Sequence, residues 1–177
     1  MRERKLKIRF FIDYEKEEKW VNLMAVKGWN LYSFGLGYYT FEKGDPGQYI
    51  YRNEMIHNLG VKDERDEYIN FLQSSGVELV KVFFNWAYFR KKASEGPFEL
   101  YSDITSKLAY QKRICKLFLI AFFINVVAGI SNLILEEKFN HYTGLVNIGL
   151  AVILLIPLLK VLRKQRNLKQ QLTIFND

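Results

Sequence analysis

The chain has 177 residues, enough for one domain and an appendage but too few for several independent cores. One cysteine excludes an intrachain disulfide framework, and two histidines leave little material for a metal centre. The formal charge of +7 would suit a polyanion binder, yet residues 1–106 carry sixteen basic and sixteen acidic side chains, while residues 107–177 carry ten and three.

The charged start, Met1-Arg2-Glu3-Arg4-Lys5, does not resemble a cleavable leader and runs into a strand-like alternation of Leu6, Ile8, Phe10 and Ile12. A helix follows. Asp13, Glu15, Glu17 and Glu18 suit the positive end of its dipole, Trp20, Val21, Met24 and Ala25 form an apolar stripe, and Gly28 stops it. An aromatic strand comes next, then the turn Gly44-Asp45-Pro46-Gly47 and a strand over 48–56.

The same grammar then repeats at an offset of 48 residues. Asp63, Glu64, Asp66 and Glu67 open a second helix, Tyr68, Ile69 and Leu72 carry its stripe, and Gly76 ends it. Trp20 aligns with Tyr68, Asn22 with Asn70, Leu31 with Leu79 and Phe41 with Phe89. The last strand reads as one run, with Val80, Val82, Phe84, Trp86 and Tyr88 on one face and Lys81, Phe83, Asn85, Ala87 and Phe89 on the other.

The expected order is therefore βαββαβ, an α+β ferredoxin-like cytosolic domain over residues 1–93, with two helices on one face of a four-stranded antiparallel sheet. Its second face would lack helical cover. Phe11, Tyr39, Phe41, Tyr49, Tyr51 and Phe83 are the candidates to line it, as a ligand cleft or an interface.

The turn Ser94-Glu95-Gly96-Pro97 opens a juxtamembrane connector, 94–116, with Leu100, Ile104, Leu108 and Ile114 apolar. Residues 117–135 and 142–159 are two uncharged, largely apolar runs, each a helix of roughly 27–28 Å against a bilayer core of ~30 Å. They predict transmembrane helices over 117–135 and 142–162, an outer loop at 136–141 and a basic tail at 163–177. Lys107, Lys112, Arg113 and Lys116 precede the first helix, and Lys160, Arg163, Lys164, Arg166 and Lys169 end the second. That asymmetry predicts a two-pass cell-membrane protein with both termini cytoplasmic, and Cys115 suits a reducing compartment.

Within the hairpin, Ala121, Asn125, Gly129 and Asn132 form one small or polar stripe and Gly144, Asn147 and Ala151 a second. Small residues let membrane helices approach closely, so these are the expected helix–helix contacts, with Asn132 and Asn147 at the same depth.

Enzyme signatures are sparse. His57 and His141 have no ligand partners at a useful spacing, and Gly35-Leu36-Gly37 lacks the third glycine and the helix of a phosphate loop. An RNA-binding sheet is disfavoured as well, because the Gly-aromatic run at 34–39 falls on the second strand and the domain has no net charge. No catalytic activity, metal, cofactor or nucleic-acid partner is expected.

Four segments carry a family resemblance: 18–29, with Trp20, Asn22, Gly28 and Trp29; 39–52, with the Gly44–Gly47 turn; 86–91, from Trp86 to Lys91; and 100–103, from Leu100 to Asp103. Together, over about residues 8–113, they resemble a bacterial membrane-protein family of unknown function (DUF2812-like), mostly from Firmicutes and commonly encoded beside a PadR-type repressor. Val77 departs from the tryptophan that relatives tend to carry there. The resemblance implies a setting in PadR-linked membrane-stress regulation and brings no catalytic residues. The combined expectation is a membrane-anchored, non-enzymatic sensor or adaptor whose cytosolic domain binds a small apolar ligand, a lipid or a protein partner. The rival reading is an accessory subunit, or an oligomeric channel-like assembly of several copies built by the hairpins.

Overall fold

The computed structural model describes residues 3–56, 62–101, 103–135 and 137–176, so His57, Ser102 and Glu136 lie outside the described residues. The chain divides into two units, Met1–Leu100 and Tyr101–Asp177.

The first unit is mixed α/β, built from β1 (Arg4–Ile8), α1 (Tyr14–Val26), β2 (Trp29–Gly35), β3 (Tyr38–Lys43), β4 (Tyr49–Met55), α2 (Lys62–Ser74), β5 (Glu78–Phe83) and β6 (Trp86–Lys92). The strands form two three-stranded antiparallel sheets, ordered β1-β3-β2 and β4-β6-β5. The order is thus βαββ twice, in place of the single four-stranded sheet expected. Each run taken for one strand after a helix is a hairpin. In the first half Gly37, at φ 73°, turns the chain between β2 and β3; in the second, Phe84 turns it at φ 50°. A phenylalanine in the left-handed region is uncommon, and that choice hid the second turn. The expected strand over 80–89 therefore folds back at Phe84–Asn85.

The local signals behave as chemistry requires. Asp13 caps α1, its Oδ1 accepting from the Glu15 amide at 3.0 Å and the Lys16 amide at 3.4 Å. Gly28 and Gly76 follow their helices at φ 80° and 79°, where a side chain would be strained.

Val21 and Ala25 of α1 are buried against Leu31, Phe34, Tyr39 and Phe41, in a core that also takes in Tyr51 and Tyr88 from the second sheet. A separate core sets Leu72, Tyr68 and Ile69 of α2 against Val77, Leu79, Val82, Ala87 and Phe89. Phe98 is buried there too, so the stretch after β6 is part of the folded unit.

The two halves are joined by that first, shared core, by Lys81 Nζ of β5 donating to Ser33 Oγ of β2 at 2.8 Å, and by a row of polar contacts between α1 and the outer edge of β4. The Asn22 amide donates from Nδ2 to the Tyr51 carbonyl and accepts at Oδ1 from the Tyr51 amide, both at 2.9 Å. One turn earlier, the Glu18 carboxylate accepts from the Asn53 amide at 2.8 Å and faces Arg52 at 3.5 Å. One turn earlier again, the Tyr14 carbonyl accepts from Asn53 Nδ2 at 2.8 Å. Positions 14, 18 and 22 share a helix face, so α1 supplies the hydrogen bonds that a neighbouring strand would.

The second unit is a helical hairpin of α3 (Ile104–Ile134) and α4 (Lys138–Asn176). Both helices are long and apolar enough to cross a membrane, as in a two-pass membrane protein. The Asp103 carboxylate caps α3 through the Ser106 amide at 2.7 Å. Gly129 and Gly144 set the closest approach: a Cβ on Gly144 would come within 2.9 Å of the Gly129 carbonyl oxygen and 2.8 Å of Leu133 Cγ. Ala151 is buried as well, whereas Asn125 turns back on its own helix, donating to the Ala121 carbonyl at 2.8 Å. The expectation that Asn132 and Asn147 share a depth is corrected. Gly144 lies level with Gly129 and Leu133, which sets Asn132 near Gly144 and Asn147 near Gly129. Backbone contact between glycines, not amide pairing, fixes the register.

Removing the Asn22 side chain should leave the Tyr51 amide without its partner, while the Tyr51 carbonyl keeps the Arg52 guanidinium at 3.0 Å. Asn22→Ala is expected to cost about 1–3 kcal/mol, with Asn22→Asp in between because it keeps only the acceptor. All three tryptophans, Trp20, Trp29 and Trp86, lie in the first unit. Denaturant titration of the detergent-solubilised chain by tryptophan fluorescence therefore reads this unit directly.

Candidate functional site

The six aromatic residues expected on an open sheet face are brought together, but inside the first unit. Tyr39, Phe41 and Tyr51 are buried in the core cluster, and Phe11, Tyr49 and Phe83 pack half-buried against it. The rings meet mostly edge to face: Trp20 lies 4.9 Å from Tyr39 and 5.4 Å from Phe41, and Phe34 lies 5.0 Å from Tyr88. Phe11 extends the row beside Trp20 at 5.4 Å, and the Arg9 guanidinium lies 4.9 Å from the Phe11 ring centre and 5.4 Å from that of Trp20.

One carboxylate enters this cluster. Glu17 accepts from the Tyr88 hydroxyl at 3.1 Å. Burial raises its pKa above the ordinary carboxylate value, and hydrogen bonds from Tyr39 and Tyr88 oppose the rise. Burial also raises the hydroxyls of Tyr39 and Tyr88, helped by the Glu17 charge, and pushes Tyr51 up to about 12. These tyrosines are hydrogen-bond donors at neutral pH. The arrangement is a packed, polar-pinned interior.

The open surface lies elsewhere. Lys5 pairs with Phe41 and Lys7 with Tyr39, so those four share the α1 side of the first sheet; Arg4, Leu6 and Ile8, opposite Glu42, Thr40 and Tyr38, take the other side. Leu6, Ile8, Tyr32 and Tyr38 are exposed there, as are Phe10 and Leu36 at the end of the hairpin. Arg4 holds the rim, 3.3 Å from Glu42 and with its guanidinium 3.8 Å over the Tyr32 ring.

The edge of β1 is open as well. The Glu3 carbonyl and the Arg9 amide bond toward β3, at 2.9 Å each. By alternation, Arg4, Leu6 and Ile8 aim their backbone groups outward. Among the described residues no strand pairs with that side. The apolar alternation at 6, 8, 10 and 12 signalled this strand, but periodicity marks a face without saying whether anything covers it.

Among the described residues no group of three or more His, Cys, Asp or Glu side chains could hold a metal ion. His141 is exposed and Cys115 is buried.

The family described as Protein of unknown function (DUF2812) matches residues 13–123. The chain belongs to this family. Neither a curated protein nor a solved structure matches it. The DUF2812 match begins at the Asp13 cap of α1 and runs through both cores into α3. It thereby includes the Asn22 contacts and the half-buried Glu17, while β1 lies before it.

Because burial raises the Glu17 pKa, its ionised form opposes folding. The penalty is absent below the ordinary value of 4.5 and fully present once pH exceeds the raised one. Glu17→Gln keeps an acceptor for Tyr88 and removes the charge. The variant is expected to match the parent in thermal midpoint near about pH 4 and to exceed it near about pH 8. Tryptophan-detected melting across that range measures the difference.

Proposed function

We propose that this DUF2812 chain is a membrane-anchored, non-enzymatic adaptor, held by the α3–α4 hairpin and engaging a protein partner through the β1 side of its first sheet. The observation that carries the reading is the coincidence of exposed Leu6 and Ile8 with an unpaired strand edge. Such an edge is a template for another backbone, and soluble domains usually blunt it. A ligand-sensing reading finds less support, since the aromatic residues that would line a cleft are packed ring against ring.

In this reading the hairpin is an anchor. Its glycines are engaged with each other, so the stripe that would drive an oligomeric channel-like assembly is used within one chain. The basic residues flanking both spans support cytoplasmic termini and, with them, a cytosolic first unit. PadR-linked membrane-stress regulation is the setting that the family resemblance suggests.

Two measurements test this. A photo-crosslinking amino acid at Ile8 of the full chain, in cells, should give protein adducts, while one at exposed Lys27 should not; lipid adducts alone, or none, at Ile8 would overturn the adaptor reading. For orientation, cysteine is placed at Asn140 or at exposed Lys169 in a Cys115→Ser background, because Cys115 is itself buried and a poor reporter. An impermeant thiol reagent should label intact cells carrying the Asn140 variant only, and the reverse pattern would invert the topology.

A further inference from the structure

The two βαββ halves superpose in pairing register. Arg4 opposite Glu42 corresponds to Tyr51 opposite Arg90, Leu6 opposite Thr40 to Asn53 opposite Tyr88, and Ile8 opposite Tyr38 to Met55 opposite Trp86. On the helices, Glu18 corresponds to Asp66 and Asn22 to Asn70. The environments of these matched positions differ sharply. In the second sheet Tyr51, Asn53 and Met55 are 0%, 6% and 9% exposed, because α1 lies along that edge. In the first sheet Leu6 and Ile8 are 62% and 74% exposed, and Asn70 on α2 faces solvent.

The α1–β4 contact is therefore head to tail, beside a contact between the equivalent strands β2 and β5, where Lys81 Nζ donates to Ser33 Oγ at 2.8 Å. The helix of the first half caps the first strand of the second, and among the described residues α2 does not pack on β1 in return. A head-to-tail contact leaves one donor surface and one acceptor surface unused, and it either closes into a ring or continues indefinitely. Here the donor surface left over is the Asp66–Asn70 flank of α2, where among the described residues Asp66 pairs only with its neighbour Arg65 at 3.3 Å and Asn70 faces solvent, and the acceptor left over is the β1 edge.

We propose that the partner at the β1 edge is α2 of a second copy of this chain, which repeats between molecules the contact that α1 makes with β4. This rests on the adaptor reading and names its partner. Asn70 would bond the outward amide and carbonyl of Arg4 as Asn22 bonds those of Tyr51. Asp66 would accept from the Leu6 amide as Glu18 accepts from that of Asn53. Lys5 takes the place of Arg52 in the register, so the Glu18–Arg52 ion pair has a counterpart of the same sign in Asp66 and Lys5. Charge complementarity extends along the strand, where Arg4, Lys5 and Lys7 lie in β1 and Arg9 directly follows it. The α2 flank offers Asp66 and Glu67. Ile8 and Tyr38 then gain the cover that Met55 and Trp86 have in the second sheet. Two copies place α2 of each on β1 of the other, which closes the assembly as a dimer. Anchoring both copies in one membrane raises their effective concentration for each other.

The test uses the full chain in a Cys115→Ser background. One tagged copy carries Arg4→Cys, and a differently tagged copy carries Asn70→Cys. After co-expression and mild oxidation, a disulfide-linked species carrying both tags is expected, at twice the 21.0 kDa chain mass. A disulfide within one chain of the Arg4→Cys/Asn70→Cys double variant, or no disulfide at all, would overturn the proposal. As a second readout, Asn70→Ala should weaken self-association in detergent by about tenfold, the loss of one paired amide, and leave the tryptophan-detected unfolding midpoint of the dilute monomer unchanged. A foreign protein captured at Ile8 with no two-tag disulfide would leave the adaptor reading standing and remove the second copy. Absence of any protein adduct at Ile8 would remove both.

Discussion

One side-chain amide decides how the first unit is put together. Each βαββ half makes a small sheet with a helix on one side, and three strands alone leave two exposed edges and a thin core. Asn22 converts one of those edges into an interior contact by offering Tyr51 the acceptor and donor of a neighbouring strand. Once α1 is seated there, Tyr51 and Tyr88 reach the core of the first sheet, and Glu17 comes within hydrogen-bond distance of Tyr88. The rings of Phe11, Trp20, Tyr39 and Phe41 meet within the first half, and that docking adds the contacts of Phe34 with Phe83 and Tyr88.

Burying Glu17 among rings is a cost that the tyrosine hydroxyls only partly offset. Its physical effect is orientation. A carboxylate with two hydroxyl partners from different sheets accepts few alternative placements of the helix, whereas apolar packing alone tolerates sliding. The Asn22 pair and the Glu17 pair fix the same helix from two sides.

Much of this was legible in the residues. The repeat, both helix stops at Gly28 and Gly76, the Asp13 cap and the two long apolar helices all follow from local chemistry that acts within a few residues. The strand count did not. Phe84 occupies a left-handed turn position without the glycine or asparagine that ordinarily announces one, so a hairpin read as a single strand. That error also shifted side-chain parity: Val82 packs with Ala87 and Phe89, whereas Phe83 joins the core of Tyr88. The assignment of Tyr39, Phe41 and Tyr51 to an open face failed for a different reason. Alternation separates two faces of a sheet, and only long-range docking, here Asn22 on β4, determines which face meets solvent. In the hairpin the small-residue stripe was readable, but the depth match of Asn132 with Asn147 was not, because it depended on where Gly144 meets Gly129.

The matched registers also bear on how the chain acquires its structure. Among the described residues every strand pairing lies within one half, between residues no more than 43 positions apart, so each sheet can form from nearby sequence at a modest loop-closure cost. The docking of α1 on β4 is a later event, and it is the point of hazard. Because β1 and β4 present alike to their sheets, β4 can be replaced at the first half's helix by an equivalent strand from another nascent chain. During synthesis the first half is exposed to that exchange until β4 has left the ribosome, and crowding of ribosomes on one message favours it. Divergence of the two halves in sequence, Tyr51 and Asn53 against Arg4 and Leu6, works against such exchange: the polar Asn53 side chain can hold the Tyr14 carbonyl, and leucine cannot.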